Sequence, residues 1–308
     1  MSLRDDAGVK PRIVLLAAAA LLMTACAPRS STTTVPSTTT VESTAVVVKT
    51  GGTTLNRELV TSDVRTRSYH LFVPAALPTG PVPLLVALHG GTGSGTQFQR
   101  QSGFDDLAEA GGFLVVFPDG VGRGRDSDRL RTWNGGYCCG TAATQNVDDV
   151  GFIDQLIDAI AAEYPVDPTR VFAAGHSNGG IMAYRLACEL SDRIVAIGLQ
   201  AGSLGVDECD PSQPVSILHL HGTADENHPI EGGEGPKSIA DVSFNSAAYS
   251  VETTAAAMGC EPEPTDSSWT QCDGGVEIRL VAVAGAPHSW MADASVVILE
   301  FLLNHPRV

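Results

Sequence analysis

The chain has 308 residues, of which 43% are hydrophobic and 18% are charged. This composition is ordinary for a globular protein and excludes a disordered chain or a coiled coil for the body of the sequence. Acidic residues outnumber basic ones by 35 to 19, which gives a formal net charge of −16 at pH 7. Because such a surface repels phosphate groups, we expect no nucleic-acid partner.

Residues 1–25 have the organisation of a signal peptide. Basic residues precede the apolar run 13–23, which is too short to span a bilayer as a stable helix. Small residues then precede Cys26, and this ending resembles a bacterial lipoprotein signal, in which the cysteine is lipidated and becomes the mature N-terminus. A plain secretory signal is the alternative, because Met23 stands where lipoprotein signals prefer Leu, Val or Ile.

Residues 26–52 are rich in Ser, Thr and Pro and show no apolar periodicity. Such a segment cannot bury enough surface to fold, so it predicts an extended tether. The remainder, residues 53–308, is predicted to be one catalytic domain at the cell surface. We expect it to contact the membrane only through the lipid anchor.

The domain alternates predicted strands and helices. In chain order these are strands 67–73 and 84–88, helix 104–110, strand 113–117, helix 150–164, strand 170–174, helix 178–190, strands 194–199, 215–221 and 276–283, and helix 291–303. This alternation favours an α/β fold with one doubly wound, mostly parallel sheet and helices on both faces.

The strongest functional signal is the sequence GHSNG at residues 175–179, between a predicted strand and a predicted helix. In that context the G-x-S-x-G pattern predicts a sharp turn that presents a nucleophilic serine, Ser177, at the edge of the sheet. Gly175 and Gly179 are required because side chains there would collide with neighbouring elements. The backbone N–H of Asn178 would face a developing oxyanion.

A serine hydroxyl needs a histidine base, and the histidine needs an acid that orients it. Where the serine lies at such a strand-to-helix turn, the acid and then the histidine follow it in the chain. His288, in the loop GAPHSW before the last helix, is the predicted base, with His228 as the alternative. Asp225 follows strand 215–221 and is the predicted acid, with the adjacent Glu226 as the alternative.

Two more histidines, His219 and His221, lie within strand 215–221 and are interpreted as structural. A metal site formed by them with Asp225 lacks an obvious third nitrogen or sulfur ligand. We therefore expect no metal and no cofactor.

The glycine-rich segment HGGTGSG at residues 89–95 is predicted to complete the oxyanion hole through the N–H of Gly91 or Thr92, together with that of Asn178. A phosphate-binding loop is the alternative for such a segment. It lacks the Gly-Lys-Ser/Thr ending of that motif, so we exclude it.

Six cysteines in the domain indicate disulfide bonds in an exported protein. They are Cys138, Cys139, Cys188, Cys209, Cys260 and Cys272. Cys260 and Cys272 flank a Pro-rich loop and are predicted to pair. The adjacent Cys138 and Cys139 are expected to bond Cys188 or Cys209 rather than one another. Zinc is the alternative, but no C-x-x-C pair occurs.

Several motifs together resemble the extracellular polyhydroxybutyrate depolymerase/feruloyl esterase family of α/β-hydrolases. They are HGGTGSG, FPDG, WNGGYCCG, VDDVGFI, GHSNGG and HLHGTAD, within a resemblance that runs from about Tyr69 to Trp290. The resemblance implies the α/β-hydrolase fold, a triad of Ser177, Asp225 and His288, and an exported esterase. It also implies structural disulfides at the CCG motif. Around the base, GAPHSWMA departs from the family, which usually has Gly before the His and Pro-Gly after the Trp.

The predicted reaction is hydrolysis of a carboxylic ester, of short-chain or hydroxycinnamoyl type, through an acyl-enzyme on Ser177. Trp133 and Trp290 are candidates for an aromatic or sugar-binding groove. The expected partner is a small-molecule or polysaccharide-linked ester, bound by a monomer. The alternatives are a poly(3-hydroxybutyrate) or oligomer depolymerase, a peptidase, and a non-catalytic cell-surface binding lipoprotein.

Overall fold

The computed structural model describes residues 51–123, 130–262, 264 and 267–307. All of these belong to one compact unit, which spans Val47–Val308. The predicted leader, Cys26 and nearly all of the predicted tether lie outside the described residues. Within the described part of the chain, no helix has the length and apolar character needed to cross a membrane.

A single nine-stranded sheet organises the described residues. Its strands are β1 (Thr53–Val60), β2 (Thr66–Val73), β3 (Val82–Leu88), β4 (Leu114–Pro118), β5 (Val166–His176), β6 (Ala196–Gln200), β7 (Ser216–Gly222), β8 (Ser268–Trp269) and β9 (Ile278–Val283). Their spatial order is β1-β2-β4-β3-β5-β6-β7-β9-β8. The six strands from β4 to β9 in that order run parallel, and β1, β2 and β8 are antiparallel to their neighbours.

Helices cover both faces of this sheet. They are α1 (Gly95–Ser102), α2 (Phe104–Gly111), α3 (Gly140–Thr144), α4 (Asp149–Ala161), α5 (Asn178–Glu189), α6 (Ala247–Ala257) and α7 (Ala294–Leu303). The side chains of β3 alternate between the two cores: Leu84 belongs to the core that contains residues of α4, α5 and α6, and Leu85 to the core of α1, α2 and α7. The predicted α/β-hydrolase fold is therefore confirmed.

A buried ion pair connects two motifs that lie far apart in the sequence. The Arg67 guanidinium on β2 lies 2.7 Å from Asp149 Oδ1, and both side chains are almost fully buried. Asp149 Oδ2 accepts a hydrogen bond from the backbone N–H of Asn134 at 2.8 Å. The guanidinium also stands 4.0 Å from the ring centre of Phe152. The pair thereby fixes the WNGG segment, residues 133–136, against the start of α4.

The disulfide prediction is correct for one pair and wrong for another. Cys260 bonds Cys272, as predicted, whereas Cys138 and Cys139 bond one another and Cys188 bonds Cys209. The CCG cysteines pack against Ile181 on α5. Cys188 lies two turns further along that helix, roughly 10 Å away. Cys188 instead bonds Cys209, whose Cα atom lies 4.8 Å away, within the range that a disulfide needs.

We predict that Asp149→Asn lowers the free energy of unfolding by about 3–5 kcal/mol, because it leaves the buried Arg67 charge uncompensated. Urea denaturation of the two proteins measures the difference. Asp158→Asn is the matched control: this carboxylate pairs with Arg193 at the surface and its side chain is 68% exposed. Its loss should cost less than about 1 kcal/mol. Equal costs for the two variants would contradict a structural role for the buried pair.

Candidate active site

Ser177 stands at the turn between β5 and α5 with a strained backbone, φ 54° and ψ −120°. The flanking glycines make this turn possible. A Cβ on Gly175 would lie 2.2 Å from the carbonyl oxygen of Gly179, and one on Gly179 would lie 2.2 Å from that of Leu88. Neither position accepts a side chain, so the turn packs directly onto β3 and presents the hydroxyl at the carboxyl edge of the sheet.

His288 lies between the serine and Asp225. Its Nε2 is 2.9 Å from Ser177 Oγ, and its Nδ1 is 2.7 Å from Asp225 Oδ2. An ionised carboxylate only accepts hydrogen bonds, so Nδ1 carries the proton. Nε2 is then free to accept the hydrogen bond from the serine hydroxyl. This is the tautomer that a general base requires.

Asp225 is held as an anion by backbone donors. Its Oδ1 accepts hydrogen bonds from the N–H groups of Asn227 at 2.9 Å and His228 at 2.8 Å. Burial alone would raise the pKa of Asp225, but the hydrogen bond from His288 and these backbone donors outweigh it, and the pKa falls below its ordinary value. The alternative acid, Glu226, instead pairs with Lys237 at the surface.

A buried chain of hydrogen bonds supports the loop that carries Asp225. His221 Nε2 donates to the carbonyl oxygen of His228 at 2.8 Å, so its Nδ1 must accept. His219 Nε2 donates to that Nδ1 at 2.9 Å, and the Tyr184 hydroxyl donates to His219 Nδ1 at 2.9 Å. Burial lowers the pKa of both imidazoles, which keeps them neutral. Since all four ring nitrogens are engaged, the interpretation of His219 and His221 as structural fits better than a metal site.

His228, the alternative base, lies in the interior and away from the serine. Its ring stacks on Phe244 with centroids 3.9 Å apart, and its Nε2 is buried without a hydrogen-bond partner among the described residues. Its backbone N–H, and not its ring, contacts Asp225. The geometry thus brings together Ser177, His288 and Asp225.

The predicted oxyanion donors differ in whether their N–H groups already donate a hydrogen bond within the protein. The N–H of Thr92 already donates to the carbonyl oxygen of Arg131 at 2.8 Å. Asn178 is the first residue of α5, so its N–H has no partner within the helix. A Cβ on Gly91 would lie 3.6 Å from the Cβ of Asn178, which places the two backbones side by side. The prediction for Thr92 is therefore wrong, and Gly91 with Asn178 are the candidates.

The oxyanion loop is anchored by His89, a residue that the sequence analysis missed. Its Nδ1 donates to the carbonyl oxygen of Gly90 at 2.8 Å, and its Nε2 accepts from the N–H of Gly120 at 2.9 Å. Burial lowers the pKa of His89 to about 4, so the ring stays neutral. The Trp133 indole N–H donates to the His89 carbonyl oxygen at 3.0 Å, and the Asn178 carboxamide bonds both backbone groups of Trp133.

These contacts correct the prediction that Trp133 binds substrate. Its side chain is fully buried, and its indole N–H serves the oxyanion loop. Trp290 is half-buried. Its ring packs edge-on against Phe98 and Phe104, and its N–H donates to Ser295 Oγ at 3.0 Å. Neither indole lines the catalytic cleft, so neither prediction of substrate contact is supported.

A cleft of about 170 Å³ opens beside Ser177. It is lined by His89, Gly90, Gly91, Gly93, Gln97, Phe98, Gln101, His176, Ser177 and His288. The α1 residues in this wall were not predicted, because helix α1 itself was missed. The Ser94 N-cap, whose hydroxyl accepts from the N–H of Gln97 at 3.1 Å, is the sequence signal that could have located it. Ligand sites for drug-sized molecules are commonly about 300–1,000 Å³, so this cleft suits a small group.

We predict that Tyr184→Phe lowers the free energy of unfolding by about 1–3 kcal/mol, because it leaves His219 Nδ1 buried without a donor. Chemical denaturation measures the loss. The double variant Tyr184→Phe/His219→Phe completes a double-mutant cycle, in which a coupling energy near zero would show that the chain of hydrogen bonds is not cooperative.

Asp225 should also give the stability a recognisable pH dependence. Because its pKa is lower in the folded than in the unfolded state, its contribution is present above the unfolded pKa of about 4. The contribution is lost as the pH falls through the lower, folded pKa. We expect the difference in unfolding free energy between wild type and Asp225→Asn to shrink as the pH is lowered from 6 to 3. Glu226→Gln, at an exposed ion pair, is the control, and an unchanging difference for Asp225→Asn would contradict the assignment.

Comparisons with known proteins place this chain in a family. A family model described as "Putative esterase" matches residues 64–279. "Putative esterase NocK" from Nocardia uniformis subsp. tsuyamanensis is 30% identical over 264 residues, which cover 77% of this chain and 74% of that protein. "Feruloyl esterase B" from Piromyces equi is 31% identical over 220 residues, which cover 67% of this chain and 39% of that protein.

A solved structure agrees on the fold. The acetyl xylan esterase from Aspergillus awamori superimposes with a TM-score of 0.56 at 15% sequence identity, and the match covers 80% of this chain and 98% of that one. At this identity the likeness concerns the fold alone. On the strength of the family match, the chain belongs to this esterase family and is a carboxylic-ester hydrolase.

Proposed function

We propose that this chain is an exported serine esterase that hydrolyses short-chain or hydroxycinnamoyl esters through an acyl-enzyme on Ser177. The observation that carries the proposal is the unbroken set of hydrogen bonds from Asp225 through His288 to Ser177 Oγ, beside an open cleft. The depressed pKa of Asp225 supports its role as the anion that orients the imidazole.

The reaction follows from the positions of the protons. His288 Nε2 takes the hydroxyl proton as Ser177 Oγ attacks the ester carbonyl carbon. The carbonyl oxygen becomes an oxyanion, which accepts hydrogen bonds from the N–H groups of Gly91 and Asn178. The protonated His288 then gives its proton to the leaving alcohol. Water, deprotonated by the same nitrogen, hydrolyses the acyl-enzyme and restores the serine.

The small cleft and the names of the relatives support the choice of substrate. A cleft of about 170 Å³ favours a short acyl chain or a single aromatic ring over a long lipid chain. A feruloyl esterase and a bifunctional acetylxylan esterase/xylanase are among the relatives. The feruloyl and acetyl esters of a polysaccharide are therefore the proposed class.

An exported location is the second part of the proposal. Three disulfides in the described domain support an oxidising compartment. The signal-like segment 1–25 supports lipidation of Cys26 and attachment to the surface of a bacterium. Mass spectrometry of the mature protein tests this: a diacylglycerol-modified Cys26 at the N-terminus is expected, and an unmodified chain that begins elsewhere would rule out the anchor.

We predict that Ser177→Ala reduces hydrolysis of p-nitrophenyl acetate and methyl ferulate by at least roughly 10³-fold, because the nucleophile is lost. Thermal unfolding should stay cooperative, and a fluorophosphonate should label the wild type but not the variant. The order of rates on acetate, butyrate, ferulate and a hydroxybutyrate oligomer separates the esterase from a depolymerase. Absence of turnover and of labelling in the folded wild type would instead favour a binding protein.

A further inference from the structure

His176, the residue before the nucleophile, is a buried imidazole that is not part of the triad. Its Nε2 lies 2.7 Å from the carbonyl oxygen of His288. Because a carbonyl oxygen only accepts, Nε2 carries the hydrogen and donates it. Burial, reinforced by the neighbouring His288, lowers the pKa of His176 to about 4. The ring is therefore neutral at pH 7, and its Nδ1 keeps an unprotonated lone pair.

That Nδ1 stands beside the nucleophile. The point at which a Gly90 Cβ would lie is 3.3 Å from Nδ1 and 3.5 Å from the Cβ of Ser177. The side chain of His176 lines the cleft, and Nδ1 has no hydrogen-bond partner among the described residues. A side chain at Gly90 would crowd this acceptor, so the glycine leaves Nδ1 uncovered on that side.

The same cleft carries further polar groups on α1. Gln97 and Gln101 lie one helical turn apart and both are exposed, whereas Phe98 between them is buried. The α1 side of the cleft therefore combines a buried phenyl ring with exposed carboxamide groups. It suits a small polar group better than a hydrocarbon chain.

We propose that His176 Nδ1 accepts a hydrogen bond from a substrate hydroxyl that lies next to the scissile ester. The inference rests on the proposed function and specifies its substrates: esters with a hydroxyl group on the acyl chain, or on the alcohol part at the carbon next to the one that bears the esterified oxygen. Carbohydrate esters have such an adjacent hydroxyl on the alcohol side, and 3-hydroxyacyl esters have one on the acyl side. A phenolic hydroxyl at the far end of a cinnamoyl ring lies well beyond this position.

Two pairs of esters test the inference and show whether the recognised hydroxyl belongs to the alcohol part or to the acyl part of the ester. On the alcohol side, 2-hydroxyethyl acetate is compared with propyl acetate, in which a methyl group replaces the hydroxyl. On the acyl side, p-nitrophenyl 3-hydroxybutyrate is compared with p-nitrophenyl butyrate. In wild type we expect kcat/KM to favour the hydroxylated member of one pair by roughly threefold to tenfold, the range of one neutral hydrogen bond.

Two variants separate the hydrogen bond that His176 donates at Nε2 from the acceptor at Nδ1. His176→Gln can place an N–H near the Nε2 position and so keep the bond to the His288 carbonyl, but it removes the acceptor at Nδ1. We expect it to lose the preference for the hydroxylated ester, measured as the ratio of kcat/KM within each pair, so that a change in the rate common to both members does not affect the reading. His176→Asn places a carboxamide oxygen near Nδ1 and loses the bond to His288. It should keep the preference at a lower kcat on all four esters.

Gly90→Ala provides a variant with His176 intact. Its methyl group would stand against Nδ1, and the preference should fall as in His176→Gln. The inference is overturned if wild type hydrolyses the plain esters with no preference in either pair, or if the preference survives in His176→Gln and Gly90→Ala. That result leaves the serine esterase intact, whereas a wild type that hydrolyses none of the four esters refutes the proposed function itself.

Discussion

The backbone of Ser177 is the constraint on which the site depends. A non-glycine residue at φ 54° is costly, and it persists only where its surroundings leave no alternative. Here the carbonyl oxygens of Leu88 and Gly179 occupy the space that side chains on Gly179 and Gly175 would need. The close contact of β3, β5 and α5 therefore holds the turn, and the turn places the hydroxyl within 2.9 Å of His288.

Around this turn, buried neutral histidines act as hydrogen-bonding connectors. His89 ties the oxyanion loop to Gly120, and His221 ties the acid loop to β7. An imidazole suits this task because it donates at one nitrogen and accepts at the other, and burial keeps it from gaining a second proton. Within the triad Asp225 carries the negative charge, and backbone N–H groups and His288 stabilise the anion. The positions of the reacting groups thus follow from the direction of each hydrogen bond.

Elements with continuous apolar runs or clear helical periodicity were predicted within a few residues, as for β3, β7 and α5. The missed elements have weaker patterns. Strand β1 is an edge strand with alternating, half-exposed residues, and α6 is rich in alanine with little difference between its faces. Its N-cap, Ser246, accepts a hydrogen bond from the N–H of Tyr249 and could have indicated where it begins.

The sequence by itself determined the fold class, the nucleophile turn and the order of serine, acid and base. Each of these depends on local pattern, because strand runs, glycine positions and loop locations are encoded in neighbouring residues. Only the tertiary structure decided that the Thr92 N–H is engaged by Arg131, that Trp133 is buried, and that Cys188 bonds Cys209. These outcomes depend on distances between segments remote in the chain, and spacing along a sequence does not contain those distances.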